Sequence, residues 1–122
     1  MDLSVLPQQD RSVQEKTLSP FPSLFKKYRL RAEFLTYAQF SEALANRGFF
    51  YDVSVFSHWQ KGTRIPTNRQ ILLTIIEIFI EREAIANKRQ ADEFLASTGL
   101  GYLTDGEAER LFYDASVIHT DK

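Results

Sequence analysis

With 122 residues, 43% of them hydrophobic and 25% charged, the chain has the length and make-up of one compact domain with its own core, plus a tail. It contains no cysteine, which excludes a disulfide framework, a thiolate zinc site and a cysteine nucleophile. The net charge of −1 conceals a split: residues 23–70 carry eight bases against three acids, a net of +5, and residues 71–122 carry five bases against ten acids, a net of −5. A chain divided in this way is suited to a polyanion on one face and something else on the other.

Residues 1–22 read as a flexible N-terminal arm. They hold Pro7, Pro20 and Pro22, are rich in Gln and Ser, and show no sustained period. Leu18 or Phe21 is placed to pack back on the domain. A helical pattern then begins. Ser23 is a candidate cap for a helix to about Glu33, with Leu24, Phe25, Tyr28 and Ala32 as its apolar stripe. Thr36 is expected to cap a second helix, to about Asn46, that buries Phe40, Ala43 and Leu44, with Gly48 as its stop. After the aromatic run Phe49-Phe50-Tyr51, Asp52 is the N-cap of a short third helix ending near Lys61 and Gly62, and Pro66 closes the next turn. Thr67 or Asn68 caps a fourth helix, through Ile80, with a broad face of Ile71, Leu72, Ile75, Ile76, Phe79 and Ile80. Asn87 and Gln90 have capping-box spacing at the head of a fifth, which ends at Gly99 and buries Ala91, Phe94 and Leu95. A sixth follows Thr104, over about residues 105–114, with Ala108, Leu111 and Phe112 inward. The expected fold is all-α, with five to six helices. It comprises a helix-turn-helix domain at 23–81, a C-terminal helical extension at 82–115 and a frayed tail at 116–122.

Few parts of a catalytic or metal site are present. His58 and His119 lie far apart in sequence, neither with a second ligand at metal spacing. There is no Gly-rich phosphate loop, no nucleophile with its base, and no paired carboxylates in a plausible cleft, so an enzyme is not expected, nor a cofactor or small-molecule ligand. The longest apolar run, Ile71 to Ile80, is interrupted by Thr74 and Glu77 and is too short to span a bilayer, and no N-terminal stretch has the core of a signal peptide. A cytoplasmic location is expected.

The informative stretch is Leu35-Thr36, then Phe40-Ser41-Glu42-Ala43-Leu44, then the run from Val53 to Pro66, in which Phe56, Ser57, Trp59, Gly62, Arg64 and Pro66 fall in order. It resembles the helix-turn-helix domain of the Xre, or phage-repressor, family over roughly Phe25 to Ile80. The residues after Ala91 resemble the extra helices that follow such domains in some bacterial regulators. The resemblance implies a repressor-like fold and a sequence-specific transcriptional regulator whose recognition helix, about residues 53–61, enters the major groove of double-stranded DNA. Phe56 and Trp59, three apart, are expected to anchor that helix to the core. Lys26, Lys27, Tyr37, Lys61, Thr63 and Arg64 would then meet the phosphate backbone, and Ser54, Val55 and His58 the bases. The C-terminal helices are the expected surface for a homodimer. A second reading keeps the fold without the duplex: a protein-interaction module, on its own or as part of a larger signalling protein. The valines of the third helix and the Phe49-Phe50-Tyr51 loop favour it, because aromatic loop clusters make good interface anchors.

Overall fold

The computed structural model describes residues 20–113; residues 1–19 of the expected arm and the expected frayed tail lie outside the described residues. Among those described there are six α-helices and no strand: α1 (Phe21–Arg31), α2 (Tyr37–Ala45), α3 (Val53–Lys61), α4 (Arg69–Glu81), α5 (Lys88–Ala96) and α6 (Asp105–Ala108), the last continuing into a π-helical turn over Glu109–Tyr113. None is long and apolar enough to cross a membrane.

Most helix starts follow from side-chain chemistry. Thr36 accepts from the Gln39 amide at 3.1 Å while the Gln39 side chain accepts from the Thr36 amide at 3.1 Å, a full capping box. Asn68, rather than Thr67, caps α4, accepting from the Ile71 amide at 3.0 Å. Thr104 and Glu107 form a second full box at α6. The Asn87–Gln90 pair differs from the expected box: Asn87 caps α5, but Gln90 Oε1 reaches one residue further back, to the Ala86 amide at 2.7 Å.

The first helix corrects the sequence reading. It begins at Phe21, two residues before the expected start, and Ser23 is an exposed helical residue rather than its cap. Two forces move the boundary. Pro22 sits in the first turn, where its missing N–H would have had no partner and its fixed φ suits the helix. The Phe21 ring, fully buried, stacks on Phe25 at 5.5 Å and meets Trp59 and Phe94, so the helix start is held by tertiary packing rather than by a polar cap.

Those rings belong to a continuous aromatic core. Phe40 is its hub, with Phe25, Phe34, Phe56 and Phe79 at centroid distances of 5.0–6.0 Å. Tyr28 and Phe94 extend the cluster to α5. Edge-to-face pairs of this kind add about 0.5–1.5 kcal/mol each beyond the area they bury. Ile71, Leu72, Ile75 and Ile76 supply the aliphatic side from α4.

The ends of α1 and α4 are built alike and brace one another. Each is followed by a glutamate in the left-handed region, Glu33 (φ 71°) and Glu83 (φ 63°). A non-glycine residue there costs roughly 1 kcal/mol; the chain after it drops a buried side chain into the core, Phe34 in one case and Ala84 with Ile85 in the other. The braces are reciprocal. Arg31 donates to the Ala84 carbonyl and Arg82 to the Ala32 carbonyl, both at 3.3 Å, and the Arg82 guanidinium lies 4.4 Å from the Phe34 ring centroid.

The charge split of the sequence is largely spent inside the fold. Arg47 of the basic half pairs with Glu77 and Glu81 of the acidic half. Arg69 clamps Glu107 through two hydrogen bonds of 2.7 and 2.9 Å and also donates to the carbonyls of Leu100 and Tyr102. Arg29 is buried, with Nη1 on the Phe34 carbonyl at 2.8 Å and its guanidinium 4.9 Å from the centre of the Tyr37 ring. With Arg31 also engaged and Lys27 lying 5.3 Å from the centre of the buried Tyr28 ring, Lys26, Lys61 and Arg64 are the cations of the basic half that no ion pair or buried contact among the described residues consumes.

Candidate nucleic-acid interface

α3 is positioned from both sides. Phe56 (0% exposed) and Trp59 (4%) lock its inner face against Phe21, Phe25, Phe40 and Tyr51. At its C-terminal end Gln60 Nε2 donates to the Pro22 carbonyl at 2.7 Å, tying it to the start of α1. Gly62 ends the helix in the left-handed region at φ 80°, and a Cβ there would stand 3.3 Å from the Pro22 ring. Rigid support of this kind is what a helix needs if its outer face is to be presented in a fixed pose.

On that outer face Ser54, His58 and Lys61 are all exposed, and steps of four and three residues place them on one stripe. Thr63 and Arg64 follow in the exposed turn. The Thr63 hydroxyl lies 3.0 Å from His58 Nδ1 and 3.3 Å from the His58 carbonyl, which fastens the turn to the helix and leaves Nε2 as the imidazole nitrogen free for a ligand. Lys26 is exposed on α1, one turn after Pro22 and so on the stripe that meets the end of α3.

Two of the residues read as interface from the sequence sit differently. Val55 is half-buried and packs against the core, because it lies one turn before Trp59 on the inner side of α3; it does not face outward with Ser54 and His58. Tyr37 is half-buried beneath Arg29, so its ring serves the α1–α2 junction. Ser54 is exposed, but its amide donates to Asp52 Oδ2 at 3.0 Å and its hydroxyl donates to the same oxygen. Those two hydrogen bonds hold the Asp52 carboxyl below its ordinary range, and the start of α3 carries an anion at neutral pH.

The aromatic loop also divides. Phe49 and Tyr51 turn inward, the latter against Phe56 and Trp59, and the Tyr51 carbonyl accepts from Ser41 Oγ at 3.1 Å. Phe50 is left 79% exposed, and Val53, in the first turn of α3, is 42% exposed. The helix is therefore polarised. Its N-terminal end presents an anion flanked by apolar side chains, and its C-terminal end presents His58, Lys61, Thr63 and Arg64. A separate open groove of about 760 Å³ lies beside α5, lined by Lys88, Arg89, Asp92, Glu93 and Tyr102 among others. Among the described residues no group of His, Asp and Glu is arranged to hold a metal ion.

What these observations define is an all-α domain that presents one short, firmly braced helix with a cationic C-terminal end. Comparison with protein-family models, curated sequences and solved structures returned no match.

Proposed function

We propose that this chain is a helix-turn-helix module of the Xre type that binds double-stranded DNA as a transcriptional regulator, with α3 as the recognition helix. The observation that carries the reading is the pair Lys61 and Arg64. Both are exposed beside His58 and Thr63, and neither has a carboxylate partner among the described residues, in a domain where Arg47, Arg69 and Lys88 each have one. Unpaired cations at the end of a braced helix are suited to phosphate. His58 Nε2 is the group we assign to a base edge. Regulators of this kind act in the cytoplasm, where we place the chain, and a module with so few free cations needs a second copy to bind firmly. We assign that contact to the C-terminal helices, where Tyr102 is exposed beside the α5 groove.

The test is fluorescence anisotropy on mixed-sequence duplex DNA across a salt series. Wild type is expected to bind with an affinity that falls with salt, by a log–log slope of roughly 0.9 for each phosphate neutralised. Lys61→Glu with Arg64→Glu is expected to weaken binding at low salt and flatten the slope, with circular dichroism unchanged. Unaltered affinity in the double variant would remove the reading.

A second reading, docking to a protein through the start of α3, is favoured by the exposure of Phe50 and Val53 beside Asp52. In that case Phe50→Ser would abolish partner capture, and the charge reversals at Lys61 and Arg64 would not.

A further inference from the structure

Resting on the DNA-binding reading, the geometry points to a particular kind of operator: we propose that the first turn of α3 reads the C5-methyl groups of thymine, so that the preferred duplex is rich in thymine where this turn lies. In the major groove, guanine offers two acceptors and is read by a cationic or amide donor, adenine offers an acceptor and a donor, and thymine adds an apolar methyl group. The start of α3 has nothing for guanine. Its cations, Lys61 and Arg64, stand at the opposite end of the helix and in the turn beyond it. The Ser54 hydroxyl proton is given to Asp52, and the same carboxylate takes the Ser54 amide, so neither donor is free for a base. The Asp52 anion repels the acceptor edge of guanine. What the turn does offer is the Val53 side chain, 42% exposed, with the Phe50 ring, 79% exposed, two residues before the cap. Both are left in solvent by a fold that buries Phe49, Tyr51 and Val55 at least in part, so they are the apolar surface at this end of α3 that binding can still cover.

Burying one methyl group is worth about fourfold in affinity by the usual transfer scale. The probes are a hairpin-closed alternating adenine–thymine duplex, the same duplex with deoxyuridine in place of every thymine, and an alternating guanine–cytosine duplex. Deoxyuridine keeps the thymine O4 acceptor and removes only the methyl group. Wild type is expected to bind the thymine duplex at least fourfold more tightly than the deoxyuridine duplex, and more tightly than the guanine–cytosine one. Val53→Ala, at an exposed position that leaves the core untouched, is expected to reduce the thymine–deoxyuridine difference with circular dichroism unchanged, and an undiminished difference in this variant would remove Val53 from the readout. Equal affinity for the thymine and deoxyuridine duplexes, or a preference for guanine–cytosine, would overturn the methyl readout while leaving DNA binding intact. Failure to bind all three at low salt would overturn the DNA-binding reading itself, and this inference with it.

Discussion

Neutralising Glu107 is a sharp probe of how α6 and the loop before it are tied to α4, because one arginine makes the polar part of that contact. Arg69, at the first position of α4, reaches across to Glu107 and to the carbonyls of Leu100 and Tyr102. The guanidinium, helped by hydrogen bonds at Thr104, holds the Glu107 carboxyl at about 2, down from the ordinary 4.5. Each pH unit by which folding lowers a carboxyl group's pKa is worth about 1.4 kcal/mol, so this drop sets a ceiling of about 3 kcal/mol. The Arg69 side chain is 33% exposed, and solvent screening lowers the expectation to about 2 kcal/mol. Glu107→Gln keeps the shape and an acceptor for the Thr104 amide, and loses the charge. Thermal unfolding at neutral pH should show a Tm lower by roughly 10 °C for a domain of this size. The pH dependence has a definite sign. A carboxyl group whose pKa is depressed on folding stabilises fully above 4.5 and loses that contribution as pH falls toward about 2. The gap between wild type and Glu107→Gln should therefore close over that interval. A gap below about 0.5 kcal/mol at neutral pH, the value typical of a solvent-exposed pair, or a gap that is constant from pH 6 to pH 3, would refute the reasoning.

Other consequences follow from the core and the backbone. Phe40→Ala removes the ring that touches Phe25, Phe34, Phe56 and Phe79 and should cost about 3–5 kcal/mol in chemical denaturation, a large part of the stability of a domain this size. Gly62→Ala should destabilise by about 1–2 kcal/mol, since its φ is 80° and the new Cβ would crowd Pro22. Gly106→Ala, in α6 with open space around it, should instead stabilise by about 0.5–1 kcal/mol; the two glycines, compared in one melting experiment, separate conformational need from simple tolerance.

Much of the architecture was legible in the sequence because its signals are local. Thr36, Asp52, Asn68 and Thr104 each sit at the N-cap of the helix expected of them or of a neighbouring residue, and each accepts the hydrogen bond that makes it a cap. Trp59 is in the core, three residues from Phe56, as the helical period requires. What the sequence misread depended on contacts distant along the chain. The start of α1 is set by Phe21 against Trp59 and Phe94, and no local cap announces it. The helix ends at Glu33 and Glu83 carry no glycine to mark a left-handed residue.

The interface was harder to read for the same reason. An excess of bases in residues 23–70 looks like a polyanion-binding face until Arg47 finds Glu77 and Glu81, and Arg69 finds Glu107, thirty or more residues away. Charge counting cannot tell a structural arginine from a free one; only the fold can. Val55 illustrates the converse. Its place within α3 suggests a base contact, whereas its position one turn before Trp59 turns it to the core and leaves Val53 and Phe50 outside. Regular capping signals thus gave the frame, and long-range pairing decided which residues on that frame remain available to a partner.

The most direct test of α3 as a DNA-binding helix is an NMR titration of the nitrogen-15-labelled chain with a short mixed-sequence duplex at low salt. The expected result is a set of amide shifts concentrated at Ser54, His58, Lys61, Thr63 and Arg64, with Lys26 beside them. Amides that do not shift at all, or shifts confined to the α5 groove around Tyr102, would contradict it.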